Sequence, residues 1–133
     1  DDGLLLSSEV AGLSFNADLV ILSACNTALA DGKGGGESLS AMARSFLYAG
    51  ARALLASYWR VSDEATSALT VEYVRSQMAG ADRFDSLQQA ERAIRTGQGT
   101  DGKRIANWQP DWAHPVYWAP FSVISAGSGS ALR

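Results

Sequence analysis

Two short apolar runs without polar alternation mark the first half of the chain. Residues 18–23, Asp18-Leu19-Val20-Ile21-Leu22-Ser23, form one, and residues 52–57, Arg52-Ala53-Leu54-Leu55-Ala56-Ser57, form the other. Each is too short for a buried helix, and the missing alternation predicts strands covered on both faces. Phe121-Ser122-Val123-Ile124 predicts a last strand. Elsewhere the period is helical. Residues 3–15 read as a turn and a short helix, capped by Ser7 or Ser8, with Val10 and Leu13 facing inward. From Glu37 onward Leu39, Met42, Ala43, Phe46 and Leu47 share a face, and Gly50 stands where a helix-ending glycine belongs.

Tyr58 to Ser62 reads as a loop, and Ser62 or Asp63 can cap a helix reaching about Ala79, before Gly80. Asp85-Ser86-Leu87-Gln88 matches a capping box and opens a helix to about Thr96. Residues 24–36 and 97–102 are Gly-containing loops, and 108–115 is aromatic and irregular. Strands alternating with helices argue for an α/β fold with a mostly parallel sheet flanked by helices.

Composition narrows the function classes. The 133 residues carry 11 Lys plus Arg against 14 Asp plus Glu, a net charge of −3, which excludes a nucleic-acid binder working through bulk positive charge. Hydrophobic residues at 47% exclude a disordered chain. One Cys and one His are too few for most structural metal sites and for an internal disulfide, so a reducing compartment, the cytoplasm, fits. No cofactor is implied. No apolar run approaches the ~18 residues of a membrane span, and the Asp1-Asp2-Gly3 start does not resemble a signal peptide. The lack of an initial Met is expected for a processed product or a piece of a longer chain.

Chemistry in open parallel sheets gathers at the carboxyl ends of strands. The first strand runs into Ala24-Cys25-Asn26-Thr27 and the second into Ser57-Tyr58-Trp59-Arg60-Val61-Ser62-Asp63. A right-handed crossover through one helix places both ends on the same edge, so Cys25 and the 57–63 loop are expected to be neighbours. Cys25 is the candidate nucleophile, since a thiolate attacks without a strong base; a small buried core residue is the alternative.

Gly32-Lys33-Gly34-Gly35-Gly36-Glu37-Ser38 invites a phosphate-loop reading but fails it, because Gly34 and not Ser or Thr follows the Lys. Asp63 and Glu64 either complement a helix dipole or receive a basic side chain beside the Cys. Trp108, Trp112, Tyr117 and Trp118 read as packing that caps the sheet end rather than as a nucleic-acid platform. His114 could act as a base for Cys25, but followed by Pro115 among aromatics it reads as a structural or exposed histidine.

These segments together resemble a known family. The stretch from Asp18 to Thr27 resembles the cysteine motif of CHAT domains, caspase-like and separase-like peptidase domains often found after tetratricopeptide repeats in bacteria. The stretch from Glu37 to Arg52 resembles the helix and turn that follow it. Ala56-Ser57-Tyr58-Trp59-Arg60-Val61-Ser62-Asp63-Glu64-Ala65-Thr66 resembles the family's Ser-x-Trp-x-Val-x-Asp-x-Ala-Thr stretch, and His114-Pro115-Val116-Tyr117-Trp118-Ala119-Pro120-Phe121 its closing segment.

The resemblance implies a caspase-like α/β fold, with residues 1–127 the C-terminal part of such a domain; the Gly- and Ser-rich composition after it reads as a flexible tail, 128–133. The resemblance also implies a cysteine endopeptidase in which Cys25 is the nucleophile of a Cys–His dyad. Asp63 would receive a P1 Arg or Lys, and Ser57, Tyr58 and Trp59 would line the same pocket and pair with an extended peptide substrate. Arg60 departs from the Pro common at its place. In the family the dyad His stands in an upstream His-Gly motif, in caspases about 50 residues before the Cys. No His precedes Cys25 here, so the isolated chain is expected to be inactive. A non-catalytic interaction module of the same fold is the alternative. Missing upstream strands would leave 18–23 or 52–57 at a sheet edge, where a second copy could pair. No membrane and no direct nucleic-acid partner are expected.

Overall fold

The two apolar runs pair side by side as parallel strands. The structure, a computed structural model, describes residues 5–22 and 35–126, with no side chains for 35–38. Strand β1 covers Val20–Leu22 and β2 covers Ala53–Ser57, with Val20 opposite Leu54, Ile21 opposite Leu55 and Leu22 opposite Ala56. Strand β3, Phe121–Ser125, completes a sheet of order β1-β2-β3. The architecture is α/β, as the alternation of strands and helices requires. The described residues fall into two compact units, one running up to Arg60 and resuming at Val123, the other Val61–Ser122.

In the first unit β2 is the central strand. Ala53 to Ala56 are all buried, which is why this run shows no alternation. β1 departs from the expectation of cover on both faces. Among the described residues it is an edge strand, and Ile21 is 39% exposed. The expected sheet edge therefore falls on 18–23 and not on 52–57. An exposed ion pair between Arg52 and Asp18, beside the Arg52 N–H bond to the Ala17 carbonyl (2.9 Å), ties the starts of the two strands together.

Helix α1, Ser7–Ala11, packs on helix α2, Gly35–Tyr48. Val10, Ala43, Phe46, Ala51 and Leu54 form the core, with Phe15, Val20, Leu22 and Ile124 around it. Two details of α1 differ from the expectation. Neither serine caps it; the Glu9 carboxylate accepts the Leu6 N–H instead (2.8 Å). Leu13 is 49% exposed, because the helix stops at Ala11 and no longer carries Leu13 on the face of Val10.

Helix α2 starts two residues before the expected Glu37 and buries Leu39, Ala43 and Phe46 as its period demands. It ends in a Schellman turn. The Gly50 N–H bonds the Leu47 carbonyl and the Ala51 N–H bonds the Phe46 carbonyl (3.2 and 3.0 Å). Gly50 has φ +107, and a Cβ there would collide with the Phe15 carbonyl oxygen.

The second unit is built on helices α3, Asp63–Met78, and α4, Arg83–Thr96. Ser62 caps α3 by accepting the Ala65 N–H (3.3 Å). The α4 cap is three residues earlier than the expected Asp85 box. Asp82 accepts the N–H groups of Phe84 and Asp85 (2.8 and 2.9 Å). The reason is packing: Ser86 is fully buried and receives a bond from Gln77 (3.3 Å), so it belongs to the helix body. Ser76 donates to Gln89 (2.6 Å), so both cross-bonds are donated from α3 to α4.

Gly97, φ +75, ends α4 under the Trp108 ring, whose indole N–H donates to the Ile94 carbonyl (2.7 Å). Two 3-10 turns, Pro110–Ala113 and Pro115–Tyr117, follow. No helix among the described residues is long and apolar enough to cross a membrane.

Candidate functional site

The parallel register fixes where the strands deliver their ends. Leu22 closes β1 opposite Ala56, the residue before Ser57, so both carboxyl ends stand at one edge of the sheet, as the crossover rule requires. Cys25, three residues beyond Leu22 in sequence, lies outside the described residues, as do the Gly-rich loop up to Gly34 and the tail from Gly127.

Ser57 ends β2 half-buried. Tyr58 and Trp59 follow with 54% and 46% exposure. These three belong to the first unit. Asp63 belongs to the second, as the first residue of α3, exposed, with Glu64 beside it. Ser62 supplies the cap, so Asp63 is not needed for that task and its carboxylate stands in the positive field of the helix start.

His114 is exposed. Its Nδ1 accepts the Val116 N–H (3.2 Å), so it caps the second 3-10 turn. The aromatics near it also carry structure. Trp112 is buried, and the Trp118 indole donates to the Ala113 carbonyl (3.3 Å). The guanidinium of Arg95 lies 5.8 Å from the Trp118 ring centre and that of Arg104 4.9 Å from Trp108.

One polar cluster was not anticipated. Glu72 is 4% exposed on α3. Its carboxylate accepts the Thr100 N–H and hydroxyl (2.6 and 2.8 Å) and a bond from Arg75 (2.5 Å). Asp101 lies 3.6 Å from the same Arg75. The N–H of Lys103 on the Asp101 carboxylate holds that carboxyl below its ordinary range, with Arg75 and Lys103 charges assisting. This cluster pins the 99–103 loop to α3 beside an open groove of about 490 Å³. Glu72 and Arg75 are three apart on a helix, a visible signal, but nothing in the spacing reveals that Glu72 is buried.

A family model described as CHAT domain matches residues 1–128. The chain belongs to the CHAT domain family. Caspase-like peptidase-family membership follows from that match, and the cysteine motif, the helix after it, the Ser57–Thr66 stretch and the closing segment all lie within its span. Tetratricopeptide repeat protein 28 of Mus musculus is 26% identical over 123 residues, 92% of this chain. The CHAT chain spans 4% of that relative's length. No solved structure matches. Among the described residues of the CHAT chain no group of three or more His, Cys, Asp and Glu side chains is placed to hold a metal ion.

Proposed function

We propose that this CHAT chain is the C-terminal part of a cysteine endopeptidase domain, with Cys25 as the nucleophile. The observation that carries the reading is the family match together with the parallel β1–β2 register, which directs the chain leading to Cys25 and the chain leading to Ser57 toward one sheet edge. The Cys25 thiolate attacks a peptide carbonyl carbon, forming a thioester and releasing the amine. A His outside these residues gives the amine its proton and then draws one from the water that hydrolyses the thioester. Asp63 accepts a basic P1 side chain, and the backbone of Ser57 to Trp59 pairs with the extended substrate. The parent carries tetratricopeptide repeats before this domain, a reading supported by the named relative, and works in the cytoplasm.

The test is cleavage of Arg- and Lys-containing peptides by two proteins. The 133-residue chain alone shows no turnover. The parent protein cleaves, and Cys25→Ala abolishes cleavage. Cys25-dependent cleavage by the isolated chain would overturn the external base. A parent protein without Cys25-dependent activity would favour the second reading, a non-catalytic interaction module, for which the exposed Tyr58 and Trp59 also speak.

A further inference from the structure

The groove on the second unit has a polarity that neither the fold nor the dyad chemistry explains. Its long wall is one stripe of α3: Glu64, Ala68, Val71 and Arg75, spaced four, three and four residues apart. The facing wall is the 101–107 loop with Ile105, and the buried Trp112 closes the floor. Ala68, Val71, Ile105 and Trp112 make the middle apolar, and Val71 is 49% exposed.

The ends differ in charge. Glu64 stands at the amino end. Arg75, Lys103 and Arg104 stand at the other, where the Glu72–Arg75–Asp101 cluster fixes the loop. Arg75 is occupied by its two carboxylates. Among the described residues Lys103 and Arg104 have no ion-pair partner, nor has Glu64. Arg104 is instead held by its stack on Trp108. Asn107, with φ +58, is the one described non-glycine residue in the left-handed region, and it turns the loop along the groove wall.

We propose that this groove docks an extended peptide segment with a basic residue at one end, an apolar residue near the middle and an acidic residue at the other end. About 11 residues of helix separate Glu64 from Arg75, a rise of about 16 Å at ~1.5 Å per residue. An extended peptide covers that span in about five residues at ~3.3 Å each. Asp63 does not itself line the groove, but it precedes Glu64 in the chain and lies one turn before the lining residue Ser67 on α3. In the peptidase reading, on which this extension rests, the docked segment is the stretch of substrate running on from the residue held by Asp63.

The probe is an acetylated and amidated peptide Ser-Arg-Thr-Leu-Thr-Ser-Glu carrying fluorescein. It is titrated with the full Cys25→Ser chain and read by fluorescence anisotropy, so no turnover is needed. Saturable binding is expected. The double variant Lys103→Glu with Arg104→Glu weakens it at least about tenfold, and replacing the peptide's Glu by Lys restores binding to that variant. Val71→Asp, an exposed position, also weakens binding about tenfold without moving the thermal midpoint. No saturable binding, binding indifferent to both variants, or failure of the charge exchange overturns the proposal. Binding without cleavage by the parent protein would remove the peptidase reading and leave the groove; cleavage without groove binding would do the reverse.

Discussion

The two units bury different chemistry. The first buries hydrocarbon: Val10, Leu39, Phe46, Leu54 and Leu55 surround a parallel strand pair. The second buries hydrocarbon as well, Leu69, Tyr73, Ile94 and Trp112 among it, but adds Glu72, Ser76, Gln77, Arg83 and Ser86 between and beside two helices. Apolar burial is tolerant of direction but demands close packing. Buried polar groups demand a partner for each donor and acceptor, and losing one partner costs more than the bond itself contributes. Damage to the first unit should therefore come from shape, and damage to the second from unpaired atoms.

The largest effect expected from shape is at the turn after α2. Gly50→Ala forces a side chain into φ +107 and against the Phe15 carbonyl. A loss of about 3 kcal/mol in urea-induced unfolding follows from strain plus displacement of the neighbouring backbone; a loss below about 1 kcal/mol would show that the clasp is dispensable. Next comes pairing in the second unit. Glu72→Leu strips Thr100 and Arg75 of their acceptor, with an expected cost of about 1–3 kcal/mol. Glu72→Gln keeps an acceptor for Thr100 and costs less. Equal effects of the two substitutions would show that the Arg75 pairing alone matters.

Ser62→Ala removes the α3 cap and is expected to cost about 1 kcal/mol, measured by thermal melting. An unmoved midpoint would show that the cap is not needed. The smallest effect at neutral pH is at Tyr73, fully buried with no partner for its hydroxyl among the described residues. Burial pushes its phenol from 10.0 up to about 12, against a lowering by Arg83 and with a further rise from Asp82. The folded chain thus holds this proton more tightly than the unfolded chain does. The contribution is whole below pH 10.0 and is lost as pH climbs toward about 12. Tyr73→Phe is expected to be close to neutral at about pH 7 and to flatten the alkaline loss; an unchanged alkaline limb would remove Tyr73 from that role.

The same contrast explains what could be read from the chain. Apolar burial writes itself as periodicity. The unalternated run at Ala53 to Ala56 marks a central strand, and the Leu39–Phe46 stripe marks the inner face of α2. The edge position of β1 was open to two readings, because an apolar strand looks alike whether or not a neighbour covers it. The α4 start differs from the pattern for a related reason: Asp85-Ser86 has the composition of a cap, and only the burial of Ser86 shows that it is not one. The Glu72 cluster joins residues 28 apart in sequence and leaves no periodic trace. Of the candidate site, the strand ends and the placement of Tyr58, Trp59 and Asp63 just beyond them follow from the pattern. The groove along α3 required the loop to be folded back on it.

The β1–β2 register also bears on the order of folding. Val20 meets Leu54 far along the chain, with α2 lying between them in sequence. Helices α3 and α4 are joined by residues 79–82, a far shorter closure. Loop-closure entropy and contact order make the helical hairpin the early structure and the parallel pair the late one. The sheet edge formed by β1 is thus expected to assemble last, and amide exchange there should report the slowest step of refolding.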